Sequence, residues 1–194
     1  MMLPMGPKPK SLIVIIVAML VGSPRALPAS DISGERPKLI MIIRHGEKPE
    51  GEKDVNLTAK GYARANALAT VIPDRFPKPD FLFAARKSKG SDRPIETITP
   101  LSKALDEPID SQFKAEAVDQ LAHAVLSPRY AGKVVLICWH HEKIPALAKA
   151  LGVTDAPDKW NAKVFDEVWE ITYDGNAASW KQVPEEALPG DSTN

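Results

Sequence analysis

One cysteine, Cys138, stands in a chain of 194 residues, and a lone thiol excludes any internal disulfide framework. A surplus of charge is also missing, since 25 basic residues face 25 acidic ones. Without a basic excess the chain has no general electrostatic grip on a phosphate backbone, so no nucleic-acid partner is expected. Internal repeats and low-complexity tracts are lacking, which excludes a solenoid or a disordered linker. The apolar run from Leu12 to Val21 falls short of the ~20 residues that a spanning helix needs. No cysteine follows that run, which excludes a lipid-anchored leader. The adjacent pair His140-His141 has no third ligand at a suitable spacing, so neither a metal nor any other cofactor is expected.

What is present begins with an export pattern. Lys8 and Lys10 precede the apolar run, and Gly22-Ser23-Pro24 and Ala26-Leu27-Pro28-Ala29-Ser30 follow it. A basic start, a short apolar stretch and a small-residue tail are the layout of a secretory signal. Residues 1–30 are therefore expected to be a signal peptide and the protein to be exported, periplasmic or secreted. The tail is not a clean Ala-x-Ala, so the alternative is a short membrane anchor built on residues 12–22. Membrane contact follows only if the segment stays uncleaved. Its removal takes away Lys8, Lys10 and Arg25 with no acid, leaving 31–194 with a net charge of −3. That length predicts a single domain.

Within 31–194, short apolar runs alternate with helical patterns. Strands are predicted at 38–43, 80–84 and 133–138, with a half-buried strand at 165–173 and an edge strand at 178–183 joined through Asp174-Gly175. A helix is predicted from Leu57 to Ile72, capped by Thr58 and ended by Pro73. A second opens at Pro94 and places Ile98, Leu101 and Leu105 on one face. A third covers 115–126, and a fourth carries Ile144, Leu147, Ala148 and Leu151. Alternating strands and helices predict an α/β fold, a three-layer α/β/α sandwich around a mainly parallel sheet. Ligands of such sheets bind beyond the carboxyl ends of the strands.

Two predicted strands run directly into histidine: the first into Arg44-His45-Gly46-Glu47, the third through Cys138-Trp139 into His140-His141-Glu142. If the strands are parallel neighbours, His45 and His140 emerge on one edge. Free backbone N–H groups of the following turn, Gly46 among them, then suit an anion. A neutral imidazole is a good nucleophile near neutral pH. Arg44 and Arg93 supply planar forks for the equatorial oxygens of a phosphoryl group, and a protonated His140 would add another donor.

These segments resemble the histidine phosphatase (phosphoglycerate mutase-like) superfamily. Ile42-Ile43-Arg44-His45-Gly46-Glu47 is similar to its Arg-His-Gly signature, and Leu57-Thr58-Ala59-Lys60-Gly61 to its Leu-Thr-x-x-Gly helix start. Arg93-Pro94-Ile95-Glu96-Thr97 resembles its Arg-Ala-x-Gln-Thr segment, and Val134-Val135-Leu136-Ile137 with His140 its last strand and second histidine. The order matches, over roughly residues 38 to 152. The resemblance implies a metal-independent phosphomonoesterase, with a phosphohistidine on His45 and a pocket of Arg44, Arg93 and His140. Its partner would be a small phosphorylated substrate. Trp139, in place of a small residue, is expected to wall the pocket. Arg86, Lys87 and Lys89, in a long basic loop, are candidate contacts to an anionic substrate. The general acid is Glu142, as in a His-x-Glu triplet of some family members, or Glu116, or absent. The same residues leave open a non-catalytic phosphate-ligand or protein-binding member, and a phosphotransferase or mutase.

Overall fold

A computed structural model describes Met1, residues 36–49 and residues 54–191. The chain divides into two units, Met1–Ser30 and Asp31–Asn194, and the fold is that of the second. The predicted signal segment, with the anchor alternative at 12–22, lies outside the described residues apart from Met1. Among the described residues no helix is long and apolar enough to cross a membrane.

In chain order the elements are β1 (Leu39–Arg44), α1 (Ala59–Arg75), β2 (Phe81–Ala84), α2 (Arg93–Leu105), β3 (Ile109–Asp110), α3 (Val118–Val125), β4 (Val134–Trp139), α4 (Ile144–Ala150), β5 (Glu167–Asp174) and β6 (Ala177–Pro184). One sheet holds all six strands in the order β3-β2-β4-β1-β5-β6. The first four strands in sequence are parallel, and β5 and β6 join antiparallel at one side. Gly175, at a φ of 57°, makes the tight turn between them.

Side-chain alternation along each strand separates the two faces. On β1, Leu39, Met41 and Ile43 pack with Leu68 and Ile72 of α1 and with Ile98 and Leu101 of α2. Ile40 and Ile42 point the other way, toward Leu121 and Val125 of α3 and Leu147 of α4. β4 alternates likewise, with Leu136 and Cys138 on the first face and Val135, Ile137 and Trp139 on the second. Every residue of β1 and β4 is buried, as central strands covered on both faces must be. The expected α/β/α sandwich around a mainly parallel sheet is the architecture observed.

Three local expectations are corrected and one short strand is added. Pro73 does not end α1, which continues to Arg75. Pro73 has no N–H to donate, yet Ile72 and Phe76, four apart, stay buried and the Phe76 N–H closes on Ile72 O at 3.0 Å, which carries the helix past it. The third helix starts at Val118, because Lys114 to Ala117 is a turn closed by Ala117 N–H on Lys114 O at 2.9 Å. β3, two residues beside Pro108, is too short to leave a sequence pattern. β5 begins at Glu167, two residues after Phe165. Three tryptophans pack together beside β5, with ring centroids of Trp160 and Trp169 5.1 Å apart and of Trp169 and Trp180 4.9 Å apart.

Candidate active site

The register of the central strands builds the site. Arg44 lies opposite Trp139 across β1 and β4, and Ala84 lies opposite Cys138 across β2 and β4. Three strands thus end at one level, and the segments beginning at His45, Ala85 and His140 leave the same edge. The ladder continues one step into the loops, with His45 N–H to Trp139 O at 3.1 Å and Ala85 N–H to Cys138 O at 3.2 Å. His45 and His140 meet there edge to face, their ring centroids 5.3 Å apart.

His45 is buried, and its Nδ1 lies 2.7 Å from the carbonyl oxygen of Gly46. A carbonyl only accepts, so Nδ1 carries the proton and Nε2 carries the lone pair. Burial pushes the imidazole pKa well below the ordinary histidine range, with His140, Arg44 and Arg93 adding to the effect against the Gly46 bond. Both effects favour a neutral ring with a fixed tautomer, its Nε2 lone pair unspent. Burial also lowers the pKa of His140, against the pull of Glu142. His140 therefore holds a proton less readily than an ordinary histidine, which weakens the expectation of a protonated donor there.

Arg44 ends β1 on the face of Ile40 and Ile42. Its Nη1 donates to Ala162 O at 2.7 Å and to Val164 O at 2.9 Å. Its guanidinium carbon lies 3.7 Å from the centre of the Phe165 ring, a cation–π contact that holds the side chain flat. Burial brings its pKa down to about 10, partly offset by Glu142 and Glu47, so it stays charged. Arg93 opens α2 and donates to Asp54 O at 2.9 Å. The Nε of each arginine is buried with no partner among the described residues, and so is the hydroxyl of Ser91. Buried donors left unpaired are costly, and three beside a histidine pair fit an anion that completes them.

Sequence reasoning assigned Phe165 and Ser91 no role. An aromatic just before an alternating strand reads as part of it, and Ser91 reads as one more polar loop residue. Trp139 corrects an expectation. Its ring is fully buried in the core beneath α3 and α4, and its Nε1 donates to Ala115 O at 3.0 Å. Alternation with Val135 and Ile137 sends it inward, so it anchors the turn at 114–117 rather than walling the pocket. Gly46 is corrected also. Its N–H is spent on the Thr97 hydroxyl at 2.9 Å. A Cβ there would lie 3.0 Å from Gly61 O, and one on Gly61 only 2.5 Å from Glu47 O. The two glycines let α1 press against the catalytic turn, and Gly46 offers no free N–H to a ligand.

Glu142 is exposed, and its Oε2 lies 3.2 Å from His141 Nδ1. Burial of its carboxyl raises the pKa, but its backbone, His141, His140 and Lys48 outweigh that and hold it below the usual range. The raised value sought in a general acid is not found there. Glu116 is exposed in the turn held by Trp139. Both carboxylates, with Ser91, Arg93 and His140, line a cleft of about 440 Å³. Arg86, Lys89, Lys114 and His140 line a neighbouring cleft of about 740 Å³. A third, of about 510 Å³, opens beside Arg44, Lys48 and Phe165. Among the described residues no group of three or more His, Cys, Asp or Glu side chains is arranged to hold a metal. Cys138 is fully buried, and burial pushes its thiol pKa well up, so it is inert.

No protein-family model and no curated protein matches the chain. Solved structures do. The protein histidine phosphatase SixA in complex with tungstate superposes with a TM-score of 0.57 at 15% identity, over 76% of this chain and 97% of its own. The alpha-ribazole phosphatase from Shigella flexneri gives 0.54 at 13% identity, over 80% and 100%. The phosphoglycerate mutase from Bacillus anthracis gives 0.53 at 16% identity, over 80% and 96%. At such identities the likeness carries the fold, and the chain has the phosphoglycerate mutase-like α/β/α fold.

Proposed function

We propose that this chain is a phosphomonoesterase of the histidine phosphatase superfamily that works through a phosphohistidine on His45. The observation that carries the reading is the pairing of an aimed lone pair with unpaired cations. His45 Nε2 is freed by the Nδ1 bond to Gly46 O, while Arg44 Nε and Arg93 Nε are buried donors without acceptors. Structural neighbours that are phosphatases by name support the same chemistry.

In the first step Nε2 attacks phosphorus, the ester P–O bond breaks, and the alcohol oxygen leaves with a proton. Arg44 and Arg93 neutralise the equatorial oxygens, the part assigned elsewhere to a metal. The phosphoryl dianion raises the pKa of His140, which then donates as well. In the second step water attacks phosphorus and loses a proton, the P–N bond breaks, phosphate leaves, and His45 is regenerated. Glu142 or Glu116, in its protonated form, gives the leaving oxygen its proton and regains one from the attacking water in the second step. Glu142 is mostly a carboxylate, so esters of acidic alcohols, which need little protonation, turn over most readily.

Purified protein mixed with an aryl phosphate in EDTA should release phosphate and trap an acid-labile phosphorylated form. His45→Ala should abolish both. Release that survives in a folded His45→Ala protein, or that vanishes with EDTA, would sink the reading.

A further inference from the structure

The larger cleft beside His140 has no part in the two steps above, yet it is the more strongly charged. Its cations come from two segments, Arg86, Lys87 and Lys89 from the loop after β2 and Lys114 from the turn before α3. Lys87 is neutralised by an ion pair with Asp92. Arg86, Lys89 and Lys114 have no ion-pair partner among the described residues, and Glu116 is the one carboxylate in the lining. Three lysines outside the cleft are answered, Lys149 by Asp158, Lys181 by Glu170 and Lys60 by Glu47; what sets Arg86, Lys89 and Lys114 apart is that they line one concavity together. Three unanswered cations around one concavity repel one another unless an anion enters.

The walls are built rather than draped. Arg86 N–H donates to Phe113 O at 2.7 Å, stitching the two segments together at the cleft floor. The Trp139 Nε1 bond to Ala115 O fixes the turn that bears Lys114 from below. Ser88 and Ser91 close the basic loop through a backbone bond of 3.0 Å. The cleft shares Ser88, Ala115, Glu116 and His140 with the smaller cleft that holds Arg93. A ligand can therefore reach from the phosphoryl site past His140 into the basic cleft. About 740 Å³ suits a compact metabolite.

Resting on the phosphatase reading, we propose that the substrate is a compact bisphosphate: one phosphate is transferred to His45 while a second is held by Arg86, Lys89 and Lys114. One forked cation and two ammonium groups match a dianion. The transferred group leaves the remaining monophosphate with a single anchor, so the product is released more easily than the substrate.

The test separates this from the reading beneath it by measuring binding in a protein that cannot turn over. His45→Ala protein is titrated calorimetrically with fructose 1,6-bisphosphate and with fructose 6-phosphate. The bisphosphate should bind about ten- to hundredfold tighter, given two or three charge contacts. Adding Arg86→Gln, Lys89→Gln and Lys114→Gln should bring the two affinities to within about threefold, with the monophosphate little changed. The wild-type ratio of kcat/KM for the two compounds should follow the same pattern, carried by KM. Equal affinities in the His45→Ala protein, or a preference that survives removal of the three cations, would overturn the proposal, whether or not the wild type hydrolyses an aryl phosphate.

Discussion

Two buried arginines, Arg44 and Arg64, are each only 1% exposed, and their surroundings are opposite. Arg64 on α1 spends its donors on three carboxylates. Its Nη1 meets Glu185 at 2.7 Å and Asp191 at 2.8 Å, and its Nη2 meets Glu47 at 2.9 Å and Asp191 at 2.8 Å. Arg44 meets two carbonyls and a ring, with Nε left over. The first cluster is closed and the second is open. A guanidinium satisfied on every side holds a fold together; one desolvated with a donor unspent holds a place for a ligand. Burial alone does not separate structural from functional charge, but the remaining hydrogen-bonding capacity does.

That contrast is sharpened by changing one member of each kind. Arg64→Met leaves three carboxyl groups together, with only the exposed Lys60 beside Glu47 as a cation. It should cost about 3–5 kcal/mol, on the order of 10 °C in Tm, in a thermal melt. Arg93→Ala, at the open cluster, gives up a bond to Asp54 O worth about 1 kcal/mol. It should lower kcat by about 10²–10³-fold in the aryl phosphate assay. If the two effects changed places, the distinction would fail.

A third expected effect concerns Glu185, which is fully buried. Burial pushes its pKa from 4.5 up to about 8, against the pull of Arg64. A carboxyl raised in the folded state holds a proton there that the unfolded chain has lost. Its stabilisation is therefore complete below about 4.5 and is lost as pH rises toward 8, by at most about 1.4 kcal/mol per pH unit. Glu47 and Asp191 are held low, by Arg64 against burial. Their contribution is lost only when pH falls into the acid range. Tm should decline between pH 5 and 8, and Glu185→Gln should flatten the decline. An unchanged slope would mean that Glu185 is already ionised in the fold.

Much of the open cluster was legible because it is written locally. Isoleucine-rich runs ending in histidine, and an arginine before a helix proline, mark strand ends and helix starts without knowledge of partners. The closed cluster was not legible, because Arg64 finds its carboxylates 17, 121 and 127 positions away. One trace was there: Arg64, Leu68 and Ile72 fall four apart on the buried stripe of α1, so a charge interrupts an apolar face. Trp139 was misread for want of parity, since it falls in step with Val135 and Ile137. Phe165 and Ser91 take their meaning from Arg44 and Arg93 across space, which no spacing records.

The closed cluster also ties together the order in which the molecule is made. Glu47 stands two residues after the nucleophile and is anchored through Arg64 to Glu185 and Asp191, while Arg44 leans on carbonyls at 162 and 164. The catalytic turn is synthesised early, but the groups that neutralise its neighbouring arginines are synthesised late. A nascent chain released from the ribosome only as far as α4 carries both histidines and the whole signature, yet Arg64 has Glu47 alone to face and Arg44 lacks the carbonyls at 162 and 164. The groups that complete the surroundings of Arg44 and Arg64 therefore arrive with the last stretch of the polypeptide rather than with the segment around His45.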